Sequence, residues 1–197
     1  MTVKSTFIGK QFIDVFNQID INGFTFYECS MFSLRYIHIP SLCKSIKNKY
    51  NNINYEELIF RASIFEKVCD EFTSINGLLK DCSSKIIETY ACSNVKKIID
   101  SGNQYCQIKG WNKLEFSQKM FKDTIETLIS YNKKFDTIYQ PTVIISEGFF
   151  NFWEPMYKSV GTFMKKDLSG LYIPKPILMQ FLHWLTHQYI VELENYI

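Results

Sequence analysis

Two prolines, Pro174 and Pro176, divide residues 170–197 (GLYIPKPILMQFLHWLTHQYIVELENYI) into two kinds of structure. Before them, Leu171, Tyr172 and Ile173 make a short strand-like run. The prolines end any ladder there, because neither donates a backbone N–H. Pro176 suits the first turn of a helix, where the missing N–H costs nothing. Beyond it, Ile177, Phe181, Trp184, Leu185, Tyr189 and Leu193 recur at spacings of three and four, which predicts one helix with a single buried face. A helix with that apolar load has to bury it against the rest of the chain. This stretch therefore constrains the fold more than any other.

The rest of the chain supplies a partner for it. With 197 residues and 46% hydrophobic content, it can build a sizeable core, and disorder is not expected. A single compact domain over residues 1–197 is expected, since no stretch is Gly/Ser-rich or repetitive enough to be a linker. Apolar runs are broken by charge well short of the ~20 residues a membrane span needs, so no membrane partner is expected. Residues 1–20 carry Lys4, Lys10, Asp14 and Asp20 with no long apolar centre, so no secretory signal is expected and the reading is intracellular. The six cysteines, Cys29, Cys43, Cys69, Cys82, Cys92 and Cys106, include no CxxC pair. They read as reduced, mostly buried thiols and not as ligands of a zinc ribbon or RING.

Residues 5–17 read as a short helix with Phe12, Val15 and Phe16 facing inward. Asn22-Gly23 is the strongest hairpin signal, followed by the alternating run Phe24 to Tyr27. Residues 34–39 form a second strand-like run, stopped by Pro40. Ser41 then reads as the N-cap of a basic helix with Leu42, Cys43 and Ile46 inward and Lys44, Lys47 and Lys49 outward. Residues 48–54 read as a polar loop, and residues 55–72 as a helix burying Leu58, Ala62, Phe65, Val68 and Phe72. Asn76-Gly77 ends it. Further helices are predicted over 82–100 and 115–131, a strand over 104–111, an extended edge over 137–146 and an aromatic-rich loop over 147–163. The class that results is α+β, mostly helical with a small antiparallel hairpin sheet.

Candidate chemistry is sparse. His183 and His187 lie four apart on one helix face, as two zinc ligands would, yet no third ligand is in register, and the pair reads as two surface or boundary histidines. Cys29 or Cys43 with His38 makes a nominal nucleophile pair, but no oxyanion-hole phrase follows, and core cysteines explain them as well. The glycines are too scattered for a phosphate loop. No enzyme activity, metal or cofactor is expected. The aromatic run Phe149, Phe150, Phe152, Trp153 and Tyr157 fits a core wedge, a protein-docking surface or a base-stacking surface. Net charge is only +2, with a pI near 8.1, so any phosphate contact has to come from a local patch.

In residues 170–197, Gly170, Tyr172, Ile173, Pro174, Leu178, Trp184, Tyr189, Val191 and Ile197 form a pattern that resembles the C-terminal half of the KilA-N domain of large DNA viruses and phages. Residues 36–43, YIHIPSLC, look like a degenerate form of that family's N-terminal YINATKLC-like phrase, with His38 in place of its Asn and Ser41 near its Thr. The resemblance covers about residues 20–72 and 160–197, leaving about 80–160 as an unassigned helical insertion. It implies a β-hairpin packed on helices, nucleic-acid binding, and a site in the viral factory of the host cytoplasm or inside the virion. The lysines and arginine that would then contact phosphate are Arg35, Lys44, Lys47, Lys49, Lys165, Lys166 and Lys175. The same lysines also fit the solvated faces of amphipathic helices. The rival class is an oligomer or protein-interaction scaffold with the 149–157 aromatics at its interface.

Overall fold

The computed structural model describes residues 13–31, 33–76, 85, 114–148, 167–186 and 190–196. Among these, five strands form one antiparallel sheet: β1 (Ile13–Ile21), β2 (Phe24–Met31), β3 (Leu34–His38), β4 (Val143–Ile145) and β5 (Gly170–Pro174), in the order β1-β2-β3-β5-β4. Four α-helices accompany it: α1 (Ile39–Lys49), α2 (Tyr55–Asn76), α3 (Leu114–Phe135) and α4 (Leu178–Thr186). Two 3-10 segments, Lys175–Ile177 and Val191–Tyr196, flank α4. The protein is α+β, and its sheet is larger than the hairpin expected.

The Asn22-Gly23 turn joins β1 to β2. Both residues take positive φ, +50° and +86°, as a two-residue hairpin of the right twist requires. That turn fixes the partner of β2, which is why residues 13–17 are strand and not the end of the helix expected over 5–17. Ladder pairing from Ile21↔Phe24 back to Val15↔Ser30 outweighs a weak helical period. The expected helix over 82–100, strand over 104–111, and most of the aromatic loop over 147–163 lie outside the described residues, apart from Lys85 and residues 147–148.

β3 pairs with β5 in the register Tyr36↔Pro174, Ile37↔Ile173 and His38↔Tyr172. The two stretches that carry the resemblance thus lie side by side. At His38 the chain leaves the sheet and starts α1. The helix is capped by His38, whose Nδ1 accepts the Ser41 N–H at 3.2 Å, and not by Ser41 as expected. Pro40 occupies the first turn, so the cap has to come from before it. The Ser41 hydroxyl is used elsewhere: with Ser45, one helical turn on, it accepts backbone N–H groups of β2, Tyr27 at 3.1 Å and Thr25 at 2.9 Å. Four helical residues rise about 6 Å and two strand residues about 6.8 Å, so the two hydroxyls meet two successive donors. Helix α1 thereby replaces β3 as the neighbour of β2 where β3 has ended.

Gly170 is required at this joint. Its φ is +116°, and a Cβ there would stand 3.1 Å from Pro40 Cγ. His38 Nε2 lies 2.7 Å from the Ser169 carbonyl, so the imidazole donates there and accepts from Ser41.

The helices meet through aromatic rings. Phe65 of α2 contacts Phe121 of α3 at 6.1 Å between centroids, and Phe181 and Trp184 of α4 at 4.9 and 5.7 Å. A polar lock sits beside them. The Trp184 indole donates to the Arg61 carbonyl at 3.0 Å, and the Arg61 guanidinium donates to the Leu185 carbonyl at 2.7 Å. The expected helix does not run unbroken to Leu193: α4 spans Leu178–Thr186, and Val191–Tyr196 is a 3-10 segment. Ile190 and Leu193 are buried all the same.

Candidate nucleic-acid interface

Arg35 and Lys175 come together because of the β3–β5 register. Tyr36 faces Pro174, so the next residue outward on each strand is a cation, Arg35 on one side and Lys175, turning into the 3-10 segment, on the other. Where β5 stops, the Arg35 backbone N–H lacks a strand partner and donates instead to the Tyr139 hydroxyl at 2.9 Å. Tyr139 is held for this by Asn132, near the end of α3. The Asn132 amide donates to the Tyr139 carbonyl at 3.0 Å, and its oxygen accepts the Tyr139 N–H at 3.0 Å.

The result is a pocket of about 300 Å³ lined by Ser33, Arg35, Tyr131, Tyr139, Lys175 and Pro176. Under it lies the buried Glu28 carboxylate. One of its oxygens pairs with Arg35 Nη1 at 3.1 Å, and the other accepts from the Tyr196 hydroxyl. Lys175 Nζ lies 4.2 Å over the Tyr196 ring. Partial burial lowers the Lys175 ammonium from its ordinary pKa; Glu28 opposes that and Arg35 adds to it. Burial and the bond to Glu28 raise the Tyr196 phenol. With Arg35 and Lys175 against one carboxylate, the pocket carries a surplus of one positive charge.

The rim extends over the end of α3. Tyr131 lines the pocket and meets Phe135, which is 53% exposed, at 4.5 Å between tilted rings; Lys134 Nζ stands 5.3 Å over the Phe135 ring. Lys133 is exposed beside it, as is Ile138. The helix expected over 115–131 runs on to Phe135, and Tyr131, Lys133, Lys134, Phe135 and Tyr139 are not among the site residues expected from the sequence. The available signal was Lys133-Lys134-Phe135, a basic pair beside an aromatic residue.

The α1 lysines are placed differently. Lys44 is exposed and close enough to His38 to oppose its protonation. Lys47 donates to the Asn51 carbonyl at 2.9 Å. Lys49 is drawn into the structure: it donates to the Asn22 carbonyl at 2.7 Å, lies 4.5 Å over the Phe24 ring and pairs with Glu192 at 3.5 Å. The terminal 3-10 segment, Val191–Tyr196, sets Glu192 beside Lys49 and Tyr196 beside Lys175. Lys165 and Lys166 lie outside the described residues, as do Phe149, Phe150, Phe152, Trp153 and Tyr157.

The remaining candidates resolve locally. His183 lines a groove of about 620 Å³ between α3 and α4 with Asp123 and Glu126, while His187 lies outside the described residues. Among the described residues, no group of three His, Cys, Asp or Glu side chains could hold a metal ion. Cys29, Cys43 and Cys69 are buried thiols outside any disulfide, and burial raises all three away from the thiolate. His38 spends both ring nitrogens on Ser41 and Ser169. No described helix is long and apolar enough to cross a membrane. Family models, curated proteins and solved structures were compared with the chain, and none matched.

Proposed function

We propose that the protein binds nucleic acid, contacting backbone phosphates with Arg35 and Lys175 and, along the rim, with Lys133 and Lys134. The observation that carries this reading is the convergence of Arg35 and Lys175, 140 positions apart in the chain, over a single buried carboxylate in an open pocket. Two cations held at close range with one counter-charge favour an anion as the third partner. The guanidinium has five N–H donors, and Glu28 engages only part of that fork. The resemblance to KilA-N domains supports the same reading from the sequence. The surface is modest, so backbone contacts dominate over base readout and sequence specificity is not part of the proposal.

Fluorescence anisotropy with a nonspecific duplex tests it. About three neutralised phosphates give a log–log salt slope near −2.7, so raising salt from ~50 to ~200 mM lowers affinity roughly 40-fold. Replacing both exposed lysines, Lys133→Glu with Lys134→Glu, is expected to weaken binding at least about tenfold and flatten the slope by about 2. Absence of duplex and single-strand binding at ~50 mM salt rejects the reading. So does binding that ignores both the substitutions and the salt.

A further inference from the structure

We infer, resting on the phosphate-binding reading, that the ligand is a single strand: one phosphodiester sits between Arg35 and Lys175 while an adjoining base stacks on the Tyr131–Phe135 pair. Three observations lead there. The first is shape. The cations line a concavity of about 300 Å³, the low end of small-ligand pockets and the scale of one nucleotide. A duplex keeps its bases paired inside and offers only its outer phosphates to such a hollow.

The second is the aromatic rim. Phe135 and Ile138 are the large apolar side chains left exposed among the described residues, at 53% and 61%. Phe135 is held against Tyr131 at 4.5 Å and under Lys134 at 5.3 Å, so the ring is positioned and not merely stranded. Rings interleaved with cations are the platform that unpaired bases use, and removing one such ring typically lowers affinity on the order of tenfold. A duplex has no base to offer it. The third is charge. Arg35 and Lys175 less Glu28 leave a net +1, which matches the single charge of a phosphodiester; a terminal phosphomonoester carries nearly two.

The test is anisotropy at ~100 mM salt on the full chain, with three probes of equal length: a mixed-sequence DNA strand, its duplex, and the same strand made abasic. The intact strand is expected to bind at least about tenfold tighter than either of the others. Phe135→Ala should bring the strand-to-duplex ratio toward one, with unchanged thermal unfolding confirming that the variant folds. Phe135→Trp should keep or raise the ratio. Duplex binding equal to or tighter than single-strand binding overturns the inference and leaves phosphate contact standing. Abasic strand binding as well as intact strand overturns the stacking in the same way. Failure of every probe to bind, even at ~50 mM salt, overturns this inference together with the reading it rests on.

Discussion

The protein contains two arginine–glutamate pairs built to opposite ends. In α2, Glu57 and Arg61 lie one helical turn apart at 2.5 Å, with both side chains nearly sealed from water. At the sheet, Glu28 is equally buried, but its partner Arg35, at 3.1 Å, keeps 53% of its side chain exposed. The first arginine spends its donors inward, on Glu57 and on the Leu185 carbonyl of α4. The second anchors one edge and presents the rest to solvent beside Lys175. A sealed pair fixes how helices meet, whereas a half-open pair leaves charge available for a ligand. The burial of the arginine, not the presence of the pair, separates the architectural pair from the one proposed for binding.

The largest expected effect lies at the sealed pair. Arg61→Ala strands a buried carboxylate and should cost about 3–5 kcal/mol in urea unfolding. Joint replacement, Glu57→Leu with Arg61→Leu, removes both charges and leaves chiefly the Leu185 carbonyl without its donor. It should recover most of the loss. A double variant no more stable than Arg61→Ala would show that the cost is lost packing and would break the contrast with Arg35.

Much of this frame was legible in the chain itself. Asn22-Gly23 specified its hairpin locally, and the inward faces of α1 and α2 followed from spacing at Leu42, Cys43, Ile46, Leu58, Ala62, Phe65 and Val68. What failed depended on distant partners. The single helix expected to Leu193 gives way to a 3-10 segment at Val191–Tyr196, where Glu192 accepts from the Tyr50 hydroxyl, 142 positions away. Ser41 was read as a cap because nothing local shows that its hydroxyl is needed by the Tyr27 N–H. Residues 13–17 were read as helix because their apolar spacing fits a helix about as well as a strand, and only pairing with β2 decides. The site split along the same line. Arg35 and Lys175 were both named as cations, but the aromatic wall opposite them depends on Tyr139 reaching Arg35 across 104 positions.

One further titratable group, outside both pairs, is buried uncharged and sharpens the comparison. His38 has no carboxylate partner; burial, the largest cause, lowers its pKa from 6.5 to about 4, with Lys44 adding to this and the Ser169 carbonyl and Asp167 opposing it. The unfolded chain binds a proton near pH 6.5 that the folded chain refuses until about pH 4. Stability is therefore complete above pH 6.5 and falls as the pH drops through that window, by up to roughly 3 kcal/mol. His38→Gln should lose this component of the slope between pH 7 and 5 while keeping any contribution from carboxylates. Parallel pH profiles for the two proteins would show that folding does not lower the imidazole's pKa.

The smallest stability effect is expected at Arg35, and it bears most directly on function. Arg35→Ala removes one partner of Glu28, but the Tyr196 hydroxyl still donates to that carboxylate and Lys175 remains nearby. The exposed guanidinium also gave up little hydration to form its pair, so the loss should be about 1 kcal/mol, well under that at Arg61. Binding should respond in the opposite proportion. Nucleic-acid affinity should fall, with the salt slope shallower by about one phosphate. Arg35→Lys restores the charge but not the fork that can hold Glu28 and a phosphate together, so it should recover the slope better than the affinity. If Arg35→Ala unfolds the protein as readily as Arg61→Ala, the two pairs do the same job. If it is mild yet leaves binding intact, the exposed half of Arg35 is only solvated, and the contrast drawn between the pairs has no functional content.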